Sequence, residues 1–253
     1  MSASDYFTAA LEHLERVRST QLDAVREAAE RCADSIGAGR LVHLFGTGHG
    51  AIPALEAFPR SGGIVGFHPI PELPITLLHH VWGDMGIEQY RFLHRQQGYG
   101  NAILASHRPD SDDTLILFSH SGINPVILDM ALDAKERGMS LVGVTSRPHS
   151  SAVESRHSSG RRLYEVADVV IDTGAPLGDA VVIVEGLDEP VSAVSTVLVV
   201  AVVQAIVAET AAILVACGQP PHVEVNLNLP REQSARAHND VGYEQLWQRI
   251  ARR

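Results

Sequence analysis

Two short segments concentrate residues able to hold an anion. Gly46-Thr47-Gly48-His49-Gly50 follows the apolar run Leu41 to Phe45, and Ser119-His120-Ser121-Gly122-Ile123-Asn124-Pro125 follows the run Thr114 to Phe118. Glycines let backbone amides approach a ligand, hydroxyls add hydrogen bonds, and a helix opening just beyond the loop supplies a partial positive charge. Three groups near these loops can move protons: His49 in the first loop, Glu72 in the rigid turn Pro71-Glu72-Leu73-Pro74, and Glu88 on an expected helix face. A general base works best when partial burial brings its pKa toward the working pH, which favours a carboxylate in an apolar loop, such as Glu72, over one on an open helix. His79, His80, Asp84 and His94 are ligand types, but their spacing fits no defined metal site, so no metal is expected. The basic cluster Arg156, His157, Arg161 and Arg162 reads either as a solvated loop or as a group reaching an anion.

Other chemistries are excluded or weakened by what the motifs lack. Gly46, Gly48 and Ala51 satisfy the relaxed dinucleotide pattern G-x-G-x-x-G/A. That scheme also needs an acidic residue at the end of the second strand, where Phe67-His68 stand, and it leaves the serine-rich loop without a role. There is no Walker loop, no G-x-S-x-G elbow and no H-E-x-x-H helix.

The loops need a frame, and the rest of the chain supplies one. Apolar runs at Leu41 to Phe45, Ile64 to Phe67, Thr114 to Phe118, Leu141 to Thr145 and Asp168 to Ile171 predict five buried strands. Helical patterns separate them, clearest at Pro125 to Arg137, where Asn124 stands at the cap position and Gly138 follows the last turn. Alternating strands and helices predict an α/β fold, a doubly wound five-stranded parallel sheet, whose ligands bind beyond the carboxyl ends of the strands. The spacing further predicts an amphipathic helix over Tyr6 to Ile36, a helix over Ile87 to Gln97 ended by Gly98, a further strand near Val181 to Val184, and a long apolar helix over Val191 to Cys217. That last segment is long enough for a membrane span, but Gln204 and Glu209 interrupt it, and a carboxylate near mid-span costs about 3 kcal/mol. A buried helix covered on its remaining side by a second subunit is expected instead, with no membrane partner. Without repeat or linker, residues 1–253 are expected to form one domain: a helical lead-in (1–36), a core (37–217) and a C-terminal extension (218–253).

Composition narrows the partners. The 30 acidic against 20 basic residues give a formal charge of -10, which repels polyanions except where local groups reverse the field, so nucleic acid is not an expected partner. Cys32 and Cys217 form no C-x-x-C pair, and the N-terminus shows no signal-peptide pattern, so a cytoplasmic location is expected.

Ser119-x-Ser121-Gly122, preceded by an apolar strand and followed by a helix and Val144-Thr145-Ser146, resembles the signature of SIS (sugar isomerase) domains. Gly46-Thr47-Gly48 stands where these domains have their first glycine loop, and Arg147 to Ser151 followed by Ala167-Asp168-Val169 is similar to their loop and fifth strand. Pro190 to Thr196 resembles their third, hydroxyl-rich ligand loop. Ser155 to Gly160, Asp172 to Ala175 with Gly178-Asp179-Ala180, and Asn226 to Pro230 narrow the likeness to an uncharacterised group of full-length SIS-domain proteins.

The resemblance implies a flavodoxin-like strand order, a homodimer or homotetramer, a small-molecule sugar phosphate as ligand, and no cofactor. It places Gly46, Thr47, Gly48, Ser119, Ser121, Gly122, Asn124, Thr145, Ser146, Ser195 and Thr196 around the phosphosugar, with Asn124 at a position usually held by Ser or Thr. It implies aldose-ketose isomerisation through an enediol, with Glu72, His49 or Glu88 moving protons. The alternatives are a non-catalytic phosphosugar sensor, or etherase or deglycase chemistry on an amino-sugar phosphate. His68-Pro69-Ile70-Pro71-Glu72 is similar to the H-P-x-E segment of arabinose-5-phosphate isomerases, one residue longer, and Thr47 stands where those enzymes carry lysine.

Overall fold

The computed structural model describes residues 2–76, 85–230 and 232–252. Helices α1 (Ser2–Thr20) and α2 (Leu22–Gly37) lead into β1 (Val42–Gly46), a 3-10 turn (Gly48–Ala51), α3 (Ile52–Ala57) and β2 (Phe67–Pro69). Next come α4 (Leu73–Thr76), α5 (Met85–Leu93), α6 (Tyr99–Ser106), β3 (Thr114–Phe118), α7 (Pro125–Glu136), β4 (Ser140–Thr145), α8 (Arg147–Ser151), α9 (Leu163–Val166) and β5 (Val169–Asp172). The chain continues through β6 (Ala180–Val182) and β7 (Val191–Ala193), a small antiparallel pair, then α10 (Ser195–Ala216) and α11 (Glu232–Ala251).

The main sheet has the order β2-β1-β3-β4-β5 with all neighbours parallel. Successive side chains on a strand point to opposite faces. Val42 and Leu44 of β1, Ile116 and Phe118 of β3, and Val142 and Val144 of β4 accordingly share a core with α1, α2, α3 and α10. Phe45, Leu115, Leu117 and Leu141 lie on the other face, packed with Ile103, Leu104, Ile127 and Met130 of α6 and α7 and with Leu163 of α9. Covering on both faces is why these strands read as unbroken apolar runs.

Several boundaries differ from the sequence expectation. The helix expected over Tyr6 to Ile36 is two helices broken at Gln21, whose backbone (φ -118°, ψ 4°) leaves the helical region. The second strand covers Phe67–Pro69 rather than Ile64 to Phe67; Ile64 instead makes an isolated antiparallel bridge to Val223 of the C-terminal segment. The helix expected over Ile87 to Gln97 is α5, ending at Leu93, and Gly98 (φ +84°) opens α6 instead of closing α5. Val191 begins β7, not the long helix, because Val191 and Ala193 pair with Val182 and Ala180.

Among the described residues α10 alone is long and apolar enough to cross a membrane. Its Leu198, Val202, Val203, Ile206 and Leu214 are buried, and it packs chiefly against α2 and α3. The two polar interruptions bond to those neighbours: Gln204 donates to the Glu56 carbonyl at 2.7 Å, and Glu209 pairs with Arg26 at 3.3 Å. On the opposite side Val197, Ala201, Ala205, Ala208, Ala212 and Val215 form an exposed stripe.

Candidate functional site

From the neighbouring strands β1 and β3 the chain departs in opposite directions, to β2 and to β4, which makes their carboxyl ends the switch point at which such sheets bind ligands. A cleft of about 430 Å³ opens there, lined among others by Thr47, His49, Tyr90, Ser119, His120, Ser121, Asn124, His149, Arg156, Asp179, Ser195 and Thr196.

The two loops approach each other closely because glycine allows it. A Cβ on Gly50 would lie 2.7 Å from the Phe118 carbonyl oxygen, and one on Gly46 would lie 2.0 Å from the carbonyl oxygen of Gly50. Thr47 is extended with no capping bond, its side chain on the cleft wall, and His49 stands exposed at the rim. After β3, the Ser119 hydroxyl accepts the Gly122 amide at 3.0 Å, and Gly122 takes φ +61°. This turn delivers the chain to α7 with Pro125 in its first turn. The amides of Ser121, Ile123 and Asn124 have no partner among the described residues. They lie beside the amino end of a 12-residue helix, where backbone donors and the helix dipole favour an anion. Arg156 adds a full positive charge and donates to Asn124 Oδ1 at 3.0 Å, leaving the Asn124 amide nitrogen as a donor.

Of the expected ligand residues, Thr47, Ser119, Ser121, Asn124, Ser195 and Thr196 line the cleft. Others support it from behind. Thr145 is fully buried and donates to the His120 carbonyl at 3.2 Å, while Ser146 donates to the Ala175 carbonyl at 2.6 Å and accepts the His149 amide at 3.2 Å. Ser195 opens α10 with its hydroxyl donating to Asp179 Oδ2 at 2.5 Å; Asp179 Oδ1 accepts the amides of Val194 and Ser195 at 3.1 and 2.7 Å. Both Asp179 oxygens are thus engaged by the start of α10.

Glu72 and Glu88 are not among the lining residues. Glu72 accepts the Tyr99 hydroxyl at 2.8 Å, and burial together with this carboxylate pushes the Tyr99 phenol up to about 12. Glu88 is mostly exposed on α5 and pairs with Arg91 at 2.7 Å. Of the basic cluster, only Arg156 lines the cleft; Arg162 donates to the Ser150 and Val153 carbonyls, and His157 pairs with Asp129 at 3.2 Å. His79, His80 and Asp84 lie outside the described residues, and His94 stacks on Tyr90 with centroids 4.5 Å apart.

The lining also includes Tyr90, His120, His149 and Asp179, to which the sequence alone assigns no role. His120 and His149 lie ring to ring, centroids 4.3 Å apart. Both ring nitrogens of His120 are shielded from solvent and without a hydrogen-bond partner among the described residues. An unpaired buried polar group costs about 1–3 kcal/mol, so a fold that retains one invites a functional explanation. Burial holds His120 below the ordinary histidine value, opposed by the Asp179 carboxylate and reinforced by His149. Burial likewise lowers His149, again opposed by Asp179. A histidine set between the two serines of the loop was the one local signal available for this pair.

The sequence profile of the SIS domain matches residues 5–146. A UPF0309 protein of Listeria monocytogenes is 34% identical over 247 residues, covering 98% of this chain and 96% of the relative. Another, of Oceanobacillus iheyensis, is 38% identical over 196 residues, 77% of each chain. Among solved structures, a phosphoheptose isomerase of Neisseria gonorrhoeae superposes with a TM-score of 0.52 at 14% identity, over 82% of this chain and 96% of that one. A phosphoheptose isomerase of Francisella tularensis superposes with a TM-score of 0.51 at 14% identity, over 82% and 95%. At that identity the likeness is one of fold.

Proposed function

Because the chain belongs to the SIS domain family, within the group named UPF0309, we propose that it binds a phosphorylated sugar in the cleft beyond β1 and β3 and interconverts its aldose and ketose forms. The observation that carries this reading is the turn of residues 119–124. It combines amides with no partner among the described residues, the Ser121 hydroxyl, the amino end of α7 and the Arg156 guanidinium in one wall of the cleft. A phosphate there would accept charge-assisted hydrogen bonds, which are about twice as strong as neutral ones. Thr47, Thr196 and the imidazoles on the remaining walls suit sugar hydroxyls and a carbonyl. The proposed reaction runs through an enediol and calls for no cofactor. The exposed stripe on α10 supports a homodimer or homotetramer, and a cytoplasmic location accords with a small phosphorylated metabolite as ligand.

Thermal unfolding in the presence of pentose, hexose and heptose phosphates tests the binding. A ligand at 100 times its dissociation constant stabilises the fold by about 2.7 kcal/mol. The parent sugars without phosphate should give no shift; an equal shift from them would overturn the phosphate assignment.

One observation favours the second reading, a sensor without catalysis. Asp179 is the one carboxylate among the described residues that line the cleft, and its oxygens are all engaged. Exchange of the substrate's C2 proton with solvent deuterium separates the two readings, since a sensor binds without exchanging.

A further inference from the structure

Among the described residues that line the cleft no carboxylate is free, but two imidazoles are present whose surroundings differ in a chemically useful way. His120 extends from the end of β3 and His149 from α8, just beyond β4. The His120 carbonyl is held twice from behind, by the Ser146 amide at 3.1 Å and the Thr145 hydroxyl at 3.2 Å, so the backbone that bears the ring is anchored to β4. Among the described residues its two ring nitrogens have no hydrogen-bond partner, and they are shielded from solvent. His149 Nδ1 accepts the Gly178 amide at 3.2 Å, so in the neutral ring the proton is on Nε2. Asp179, whose carboxylate favours the charged form of both rings, lines the same cleft and is fixed by the start of α10.

We infer that His120 is the base that carries the proton between C1 and C2 of the bound sugar phosphate, and that the Nε2–H of His149 holds the oxygen on which negative charge develops. This rests on the isomerase reading given above, and it gives to the histidine pair the proton transfer expected of Glu72, whose carboxylate faces Tyr99 outside the lining. Starting from the open-chain aldose, an unprotonated His120 nitrogen takes the C2 proton. The C2–H electron pair forms the C1–C2 double bond and the carbonyl pair moves to O1, which His149 stabilises by hydrogen bond. The O2 proton then passes to O1, the electron pair on O2 re-forms a carbonyl at C2, and the His120 imidazolium returns its proton to C1. Every proton is recovered, and no oxidant, metal or cofactor enters the balance.

The environment suits this cycle. Burial keeps His120 neutral and ready to accept a proton near neutral pH, and Asp179 stabilises the imidazolium once it forms. The ring sits beside His149, so the two imidazoles act on neighbouring atoms of the ligand.

The test uses the purified full chain with pentose, hexose and heptose phosphates in deuterium oxide, following the C2 proton of the aldose by NMR. Binding of inorganic phosphate to each variant is measured by calorimetry. His120→Gln should lose about 100-fold or more in exchange rate while still binding phosphate as wild type does, which also shows that the variant is folded. His149→Gln should slow exchange with the same retention of phosphate, and Glu72→Gln should exchange at the wild-type rate. Should His120→Gln exchange normally, the inference is overturned while the isomerase reading stands. Should it lose phosphate binding instead, His120 is an anion contact and the inference falls in that way. Wild type that binds sugar phosphates and exchanges none of them would overturn the isomerase reading itself, and this inference with it.

Discussion

His43 on β1 lies in the interior and His120 beyond β3 lies half-buried on the cleft wall, at opposite ends of neighbouring strands. At the amino end, His43 is fully buried, with Nε2 3.2 Å from Asp113 Oδ2 and Nδ1 3.1 Å from His68 Nδ1. Asp113 in turn accepts the Leu41 amide at 2.9 Å and the Asp110 amide at 2.6 Å. At the carboxyl end, the His120 ring nitrogens are shielded from solvent and have no partner among the described residues. Paired polar groups at the first position join strands into a sheet, whereas unpaired ones at the second spend folding energy that only a ligand returns. The same residue type is therefore tied into the structure at one end of the sheet and left available to a ligand at the other.

The sharpest break in this comparison comes from the amino end. Asp113→Ala removes the acceptor of two amides and of the His43 imidazole, and should lower unfolding free energy by about 3–5 kcal/mol in urea titration. A loss below about 1 kcal/mol would mean that the network is incidental. At the carboxyl end the expected loss is of binding. Ser121→Ala should weaken the best sugar phosphate by about 1.5–3 kcal/mol in calorimetric titration, since a hydroxyl bonded to a charged group is worth that much. Stability should move by no more than about 0.5 kcal/mol.

The smallest effect is the most discriminating. His120→Leu replaces ring nitrogens that are shielded and without a partner among the described residues with a side chain that needs none, so stability should hold or rise by up to about 1 kcal/mol, where His43→Leu should lower it. The pH dependence follows from the same group. His94, His120, His149 and His222 are each held below the ordinary histidine value, burial being the main cause in every one. The unfolded chain therefore binds protons more readily than the fold. Their neutral forms leave stability intact above about pH 6.5, and stability is lost as pH falls from there through the folded values. Melting temperature should drop between pH 7.5 and 5.5, and His120→Leu should make that drop shallower.

Much of the frame was legible in the sequence because buried parallel strands write themselves as apolar runs and glycines mark their ends. What resisted reading was non-local or shared its pattern with something else. The break at Gln21 is hidden because the Gln21 amide still reaches the Val17 carbonyl and the Val25 amide reaches Gln21, so the apolar spacing runs on through it. Val191 to Ala193 merges with α10 in hydropathy, and only pairing with Ala180–Val182 makes it a strand. Ser119, Ser121 and Asn124 were found as a loop because they are contiguous. His120, His149 and Asp179 come from three separate segments beyond the strands, and it is the sheet order that gathers them.

The close approach of the two loops bears on descent. A lineage changing one residue at a time can replace Ser121, Asn124 or Thr196, whose side chains face the cleft, and alter what is bound while the strands stay where they are. It has no such freedom at Gly46 or Gly50, where the first carbon of any side chain would collide with backbone oxygen. The bare backbone of the cradle thus tolerates no side chain, while its polar fittings can be exchanged for others without the fold being rebuilt.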